Sequence, residues 1–310
     1  TCTVTVNSKK VLGYAYTPVV GQQYALGLYQ ANSAIKANLF ATGTALNDKG
    51  YFATSRNFAE ATIFTVEAGS KANTYHLSFN NGAKKQYANI TSPTDYHWAI
   101  GDTATTDWEW DNDYCTIKAP INNGAKYYFP GTYNNYDTVS MCDIGMAAQD
   151  YIGHLYQQAT PAAATKVEIY PSQNQKCYAG ASLSFQARIS PIGAQEEKVT
   201  WSVSGNDKCT ISNGKLVAGL DATGTVKVKA TVGSVSDEIT VTIGEKLNFG
   251  TKDAPLTTAE AKALLDSIKN MSKNESNGNI SKIIWITANA IIIIYTKWNS
   301  NNSSNNDSSN

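Results

Sequence analysis

The sequence predicts a mainly β protein: two β domains in succession, then a short helix and an irregular tail. Three observations carry that reading. Apolar and polar residues alternate in short runs bounded by Gly, Asn, Asp and Pro, which is the period of strands with one buried face. Aromatic sites recur at near-constant spacing through the first half of the chain. The 310 residues, 42% hydrophobic and only 16% charged, suffice for two or more separate cores.

Residues 1–7 open with Thr1-Cys2-Thr3-Val4-Thr5-Val6, which matches Glu238-Ile239-Thr240-Val241-Thr242-Ile243 position for position in polarity. They are read as the last strand of a preceding copy of the domain that holds the second segment. The chain is then expected to be an internal piece of a longer, repeat-bearing protein. No Met and no charged-then-apolar leader stands first, so an export signal is expected to be cleaved or to lie outside these residues.

Residues 8–158 read as an all-β domain, with no helix-period run of useful length between Leu12 and Gln157. Phe64, Trp108 and Tyr151 stand about 44 and 43 residues apart. Upstream of each, a Lys precedes an aromatic-containing strand: Lys36 before Leu39-Phe40-Ala41, Lys85 before Tyr87-Ala88-Asn89, Lys126 before Tyr127-Tyr128-Phe129. A second short strand falls between, at residues 51–54, 97–100 and 138–141. Repeats of this size are too small to bury their own strands, so three are expected to close around a shared axis as a β-trefoil. The rhythm resembles that of ricin-type lectin repeats, whose Gln-x-Trp signature ends each repeat on a core aromatic. Only Gln149-Asp150-Tyr151 keeps the glutamine here, with Tyr in place of Trp. Ala25-Leu26-Gly27-Leu28-Tyr29-Gln30 and Tyr128-Phe129-Pro130-Gly131-Thr132-Tyr133 are similar to an uncharacterised trefoil-like β domain of secreted gut-bacterial proteins, a likeness that implies no particular activity.

Residues 159–165, with Thr160-Pro161-Ala162-Ala163-Ala164, read as a stiff linker of small residues that holds two domains apart. In residues 166–245 the alternating sets are Leu183, Phe185, Ala187 and Ile189, then Val226, Val228 and Ala230, then Ile239, Val241 and Ile243. Turn formers between them, such as Asn213-Gly214, set strands at the spacing of a β-sandwich, with Trp201 expected as the central core aromatic. Val167-Glu168-Ile169, Ala179-Gly180-Ala181-Ser182-Leu183, Val199-Thr200-Trp201-Ser202, Ile211-Ser212-Asn213-Gly214-Lys215-Leu216 and Gly224-Thr225-Val226 resemble the bacterial immunoglobulin-like domain, group 2, of surface adhesins and secreted enzymes. The resemblance implies a spacer or adhesive module without catalysis. It departs at Cys177 and Cys209, where that family usually has plain apolar residues.

Residues 246–270 begin a further domain. Thr257 and Glu260 form a capping box, and Ala261, Leu264, Leu265 and Ile268 follow at helical spacing. The stretch resembles the start of an OB-like domain that follows Ig-like repeats in bacterial surface proteins, truncated here. Residues 271–310 are low in complexity, rich in Ile, Asn and Ser, and are read as a disordered or frameshifted tail, with a short anchor as the alternative. The apolar part is too short and too broken for a membrane span, which needs about 20 residues.

Twenty-five basic residues balance twenty-five acidic ones, which gives no field to draw in nucleic acid. The five cysteines form no Cys-x-x-Cys pair, so no zinc site is expected. They are either buried free thiols or form one or two disulfides, Cys177 with Cys209 and Cys115 with Cys142 as the pairs to test. Asp107, Glu109, Asp111 and Asp113 alternate along one strand face and read as a solvated edge, with calcium binding or paired-acid catalysis as alternatives. No catalytic residue, cofactor or metal is assigned. Exposed aromatics beside Asp and Asn suit sugars. On that ground Trp98, Trp110, Asp111, Asn112, Tyr133, Asn135 and Asp137 are the candidate ligand-binding residues, although core is the ordinary place for a Trp in a β domain. The expected function is a non-catalytic fragment of an extracellular or cell-surface bacterial protein, made of monomeric modules with a glycan or a cell-surface protein as partner. The alternative is the accessory region of a secreted carbohydrate-active or nucleic-acid-processing enzyme whose catalytic domain lies elsewhere.

Overall fold

The computed structural model describes residues 9–29, 37–90, 97–121, 126–132, 137–143, 152–248, 250, 254, 256–274, 280–287 and 290–297, with side chains described as far as residue 267. The expected strand at residues 1–7 lies outside them. The described chain is mainly β.

Strand β1 (Val11–Tyr14) precedes three groups of four strands. The first group is β2 (Gln23–Tyr29), β3 (Asn38–Leu46), β4 (Phe52–Ser55) and β5 (Ile63–Ala68). The second is β6 (Thr74–Asn81), β7 (Lys84–Ile90), β8 (Trp98–Gly101) and β9 (Trp108–Asp111), and the third β10 (Thr116–Ile121), β11 (Lys126–Gly131), β12 (Thr138–Asp143) and β13 (Gly153–Ala159). Each group follows one plan: its first three strands form an antiparallel meander and its fourth returns to its first. In the third group the return is made by Thr116 Oγ1, which donates to the Gly153 carbonyl at 2.5 Å, and by His154 Nδ1, 2.8 Å from the Cys115 carbonyl. The fourth strand of each group also pairs with the first of the next, β5 with β6, β9 with β10 and β13 with β2. Six strands therefore follow one another round a circuit in which five junctions are antiparallel ladders and the sixth, β10 to β13, is bridged by those two side-chain bonds. β1 adds to β13 from outside, Val11 opposite Ala159 and Tyr14 opposite Tyr156.

The period-two pattern explains the filling. Leu26, Phe64, Leu77, Trp108, Ile117 and Leu155, one from each strand of the circuit, are all at most 1% exposed and belong to one core. Its aromatics meet edge to face, Phe52 with Phe64 at 5.7 Å and Phe52 with Trp98 at 5.2 Å, the arrangement the ring quadrupoles favour. Of the three periodic aromatics, Phe64 and Trp108 are fully buried, while Tyr151 lies outside the described residues.

Nine strands follow: β14 (Lys166–Tyr170), β15 (Gln175–Tyr178), β16 (Ser182–Ser184), β17 (Gln186–Ser190), β18 (Thr200–Ser204), β19 (Cys209–Ser212), β20 (Lys215–Ala218), β21 (Gly224–Val232) and β22 (Val235–Gly244). They form sheets ordered β14-β17, β15-β22-β21-β18 and β16-β20-β19. Alternation is cleanest in β21 and β22, where Val226, Val228, Ala230, Ile239, Val241 and Ile243 are buried and their neighbours face out. Trp201 departs from expectation. It is only half-buried, because β18 ends its sheet and has a neighbour on one side alone.

By contacts the chain divides into two units: Thr1–Glu168 with Ala187–Thr200 and Thr231–Asp237, and Ile169–Gln186 with Trp201–Ala230 and Glu238–Asn310. Residues 187–200 complete the first unit. The Gln195 carboxamide accepts from the Tyr14 amide at 3.0 Å and donates to the Tyr14 carbonyl at 2.9 Å, so it behaves as one more strand residue on β1. Gly13 makes room for it: a Cβ there would lie 2.9 Å from Ile192 and overlap the Gln195 carboxamide. Arg188, 9% exposed, breaks the alternation of β17 and donates to the Asn112 carbonyl, its guanidinium 5.8 Å from the Tyr16 ring centre. The small-residue stretch at 159–165 is tied to the same segment, with the Ala162 amide on the Gly193 carbonyl at 3.1 Å and the Ala164 amide on Glu197 at 2.8 Å. Gln195→Ala removes both of these bonds to the Tyr14 backbone and is expected to cost about 2 kcal/mol. Urea denaturation and loss of exchange protection at the Tyr14 amide measure it.

Helix α1 (Thr258–Asn274) starts at the capping box read from the sequence: the Glu260 amide donates to Thr257 Oγ1 at 3.3 Å and the Thr257 amide to the Glu260 carboxylate at 2.8 Å. Beyond it lie the residues read as a low-complexity tail. β23 (Ile280–Thr287) and β24 (Ala290–Lys297) pair antiparallel, Ile283 opposite Ile294, as β-branched residues favour extended chain. No described helix is long and apolar enough to cross a membrane.

Candidate functional site

The ligand residues expected from the sequence do not converge. Trp98 is a correction: at 1% exposure it is core, its ring between Phe52 and Trp108. Its indole donates to the Val139 carbonyl at 3.1 Å and its amide to the Gly50 carbonyl at 2.9 Å, so it ties together the hairpins of all three strand groups. Trp110 is half-buried against the same core and spends its indole N–H on the Tyr16 carbonyl at 3.1 Å. Asp111 organises the β9–β10 turn, accepting from the amides of Asp113 and Tyr114 and pairing with Lys118 at 2.9 Å. Asn112 is exposed in that turn, with its carbonyl taken by Arg188. Asp137 is exposed at the start of β12, 3.7 Å from Arg56. Tyr133 and Asn135 lie outside the described residues.

The acidic row is likewise engaged in structure. Burial alone would raise the Asp107 carboxyl, but the Ser70 hydroxyl and amide, at 2.5 and 2.7 Å, and His76 at 2.9 Å hold it below the ordinary carboxylate range. Serine, histidine and aspartate thus meet with the carboxylate in the middle. The hydroxyl donates to Asp107 rather than to the imidazole, so this arrangement does not pass the serine proton to a histidine base. Among the described residues, no three His, Cys, Asp or Glu side chains are grouped to hold a metal ion.

Cys115, Cys142, Cys177 and Cys209 are buried thiols outside any disulfide, and neither pairing considered from the sequence is formed. Cys177 and Cys209 stand in different sheets, on β15 and β19. Burial pushes the Cys115 and Cys142 thiols up to about 11, which keeps both protonated and unreactive.

Open polar surface lies elsewhere, on the outer wall of the strand circuit. Two hollows of about 540 and 500 Å3 share Gln23 and Ile63. The first runs over β5 and β6 past Thr65, Ser78 and Asn80 to the Glu67–Lys85 ion pair at 2.6 Å. The second runs over β2 and β13 past Gln22, Gln157 and Gln158, with Phe58 and Tyr156 in its wall. No period in the sequence marks these residues, because they come from six strands and the links between them.

One stretch of the chain has known relatives. Residues 163–243 match the family model of the bacterial Ig-like domain (group 2). The match covers β14 to β22 and agrees with the motifs read there. Ig-like domains of this group occur typically in bacterial surface and extracellular proteins. No curated protein matches the chain.

Proposed function

We propose that the chain is a non-catalytic region of an extracellular bacterial protein, in which a β-trefoil binding domain precedes an Ig-like spacer. The observation that carries this is the Ig-like match at residues 163–243, a domain type of surface and secreted proteins. The trefoil reading is supported by the strand plan, repeated three times, with fourth strands closing a six-membered circuit. The binding role is supported by outer walls bearing polar hollows, and the non-catalytic role by carboxylates engaged in turns and ion pairs. The partner is a glycan or a cell-surface protein; equal numbers of acidic and basic residues make nucleic acid a poor fit. Brief trypsin treatment of intact cells of the encoding bacterium is expected to release peptides from residues 9–245. Release only after lysis overturns the extracellular reading.

A further inference from the structure

We infer that the furrow over Gln23 and Ile63 binds a neutral oligosaccharide laid across the strands. The inference rests on the reading of this domain as a binding module and names its site and ligand class. Four observations carry it.

The first is chemical. Beside Ile63, two alanines and the aromatics Tyr24, Phe58, Phe79 and Tyr156, the lining is mostly amides and hydroxyls, groups that both donate and accept. Sugar hydroxyls do the same, so each contact can be satisfied in either direction. The second is charge. Glu67 and Lys85 are the charged groups of the furrow, and they neutralise one another, with the Ser78 hydroxyl also on Glu67 at 2.5 Å and Tyr87 at 3.4 Å. Nothing there favours a phosphate, a polyanion or a basic peptide, while a carboxylate fixed by neighbours is a ready acceptor for paired hydroxyls.

The third is topological. The strands under the furrow have partners on both sides: β2 has β13, β3 and β5, and β5 has β2 and β6. A peptide therefore finds no free edge on which to add a strand. Recognition must go through side chains. The fourth is register. Gln23 stands opposite Thr65, Thr65 opposite Ser78 and Ser78 opposite Tyr87, a row of polar side chains on four neighbouring strands about 4.8 Å apart. Gln23 and Thr65 touch only at 3.5 Å, a weak bond that leaves their capacity for a ligand. Beside the row, Ile63 is 39% exposed and offers an aliphatic ridge to the CH face of a pyranose ring. Each hollow has the volume usual for small-molecule sites.

Calorimetric titration of the whole chain with cellohexaose, xylohexaose, mannohexaose and maltohexaose tests this, with hexagalacturonate as the charged control. At least one neutral hexasaccharide is expected to bind, and hexagalacturonate to bind at least tenfold more weakly. Thr65→Arg, which fills the furrow from a partly exposed position, and Gln23→Ala are each expected to weaken binding at least tenfold with the thermal midpoint unchanged. No heat from any of the four neutral sugars, or tighter binding of hexagalacturonate, overturns the inference. Neutral-sugar binding that survives both variants also overturns this site, yet leaves the binding-module reading standing.

Discussion

Trp98→Ala is expected to lower the unfolding free energy by about 3–5 kcal/mol, the cost of removing a large buried aromatic. The indole fills the space between Phe52 and Trp108, and its two N–H bonds reach Gly50 and Val139 in the neighbouring strand groups. Loss of the ring also leaves the Val139 carbonyl without its donor, which adds the penalty of a buried unsatisfied group. Trp98→Phe retains part of the packing and should fall between the two. Urea denaturation followed by tryptophan fluorescence measures all three. A fully stable alanine variant would contradict the buried junction and return Trp98 to the surface role its sequence context suggested.

Acid is expected to remove about 2–3 kcal/mol of stability between pH 7.5 and 4.5 through His154 alone. Burial lowers the His154 imidazole to about 4, against the smaller opposing effect of its bond to the Cys115 carbonyl, and its ring stacks on Tyr14 at 4.3 Å. Above about pH 6.5 both folded and unfolded chains hold the ring neutral, and the full stability is present. As pH falls below that value the unfolded chain takes up the proton first, so stability drains away until the native ring itself titrates near 4. His154→Phe keeps the stack on Tyr14 and removes the titration. Its denaturation midpoint should change less over the same interval, by the difference just given; an equal change in both proteins would assign the acid sensitivity to other groups.

Much of the fold was legible because its signals are local. The capping box at Thr257 and Glu260, the alternation through β21 and β22, and the spacing of Phe64 and Trp108 each depend on backbone period and appear where expected. The misreadings share a different cause: they depend on which distant segment covers a residue. Trp98 beside polar neighbours reads as a surface aromatic until two other strand groups close over it. Trp201 reads as core until β18 proves to end its sheet. Arg188 gave no warning of burial, since a cation in an alternating strand is ordinarily a solvent-facing residue. The furrow was invisible for the same reason, being assembled from residues as far apart in sequence as Gln23 and Gln158. The isoleucine run within the low-complexity tail has the β-branched composition of its hairpin.

The pairing of β1 with β13 has a mechanical consequence. Val11 sits opposite Ala159, so the polypeptide arrives at and departs from the first β domain at one point, with the Cα atoms of the pair about 5 Å apart. Force applied between those two strands would open Val11 from Ala159 first and Leu12 from Gln158 next, and would then meet the Gln195 bonds that hold Tyr14 from the other side.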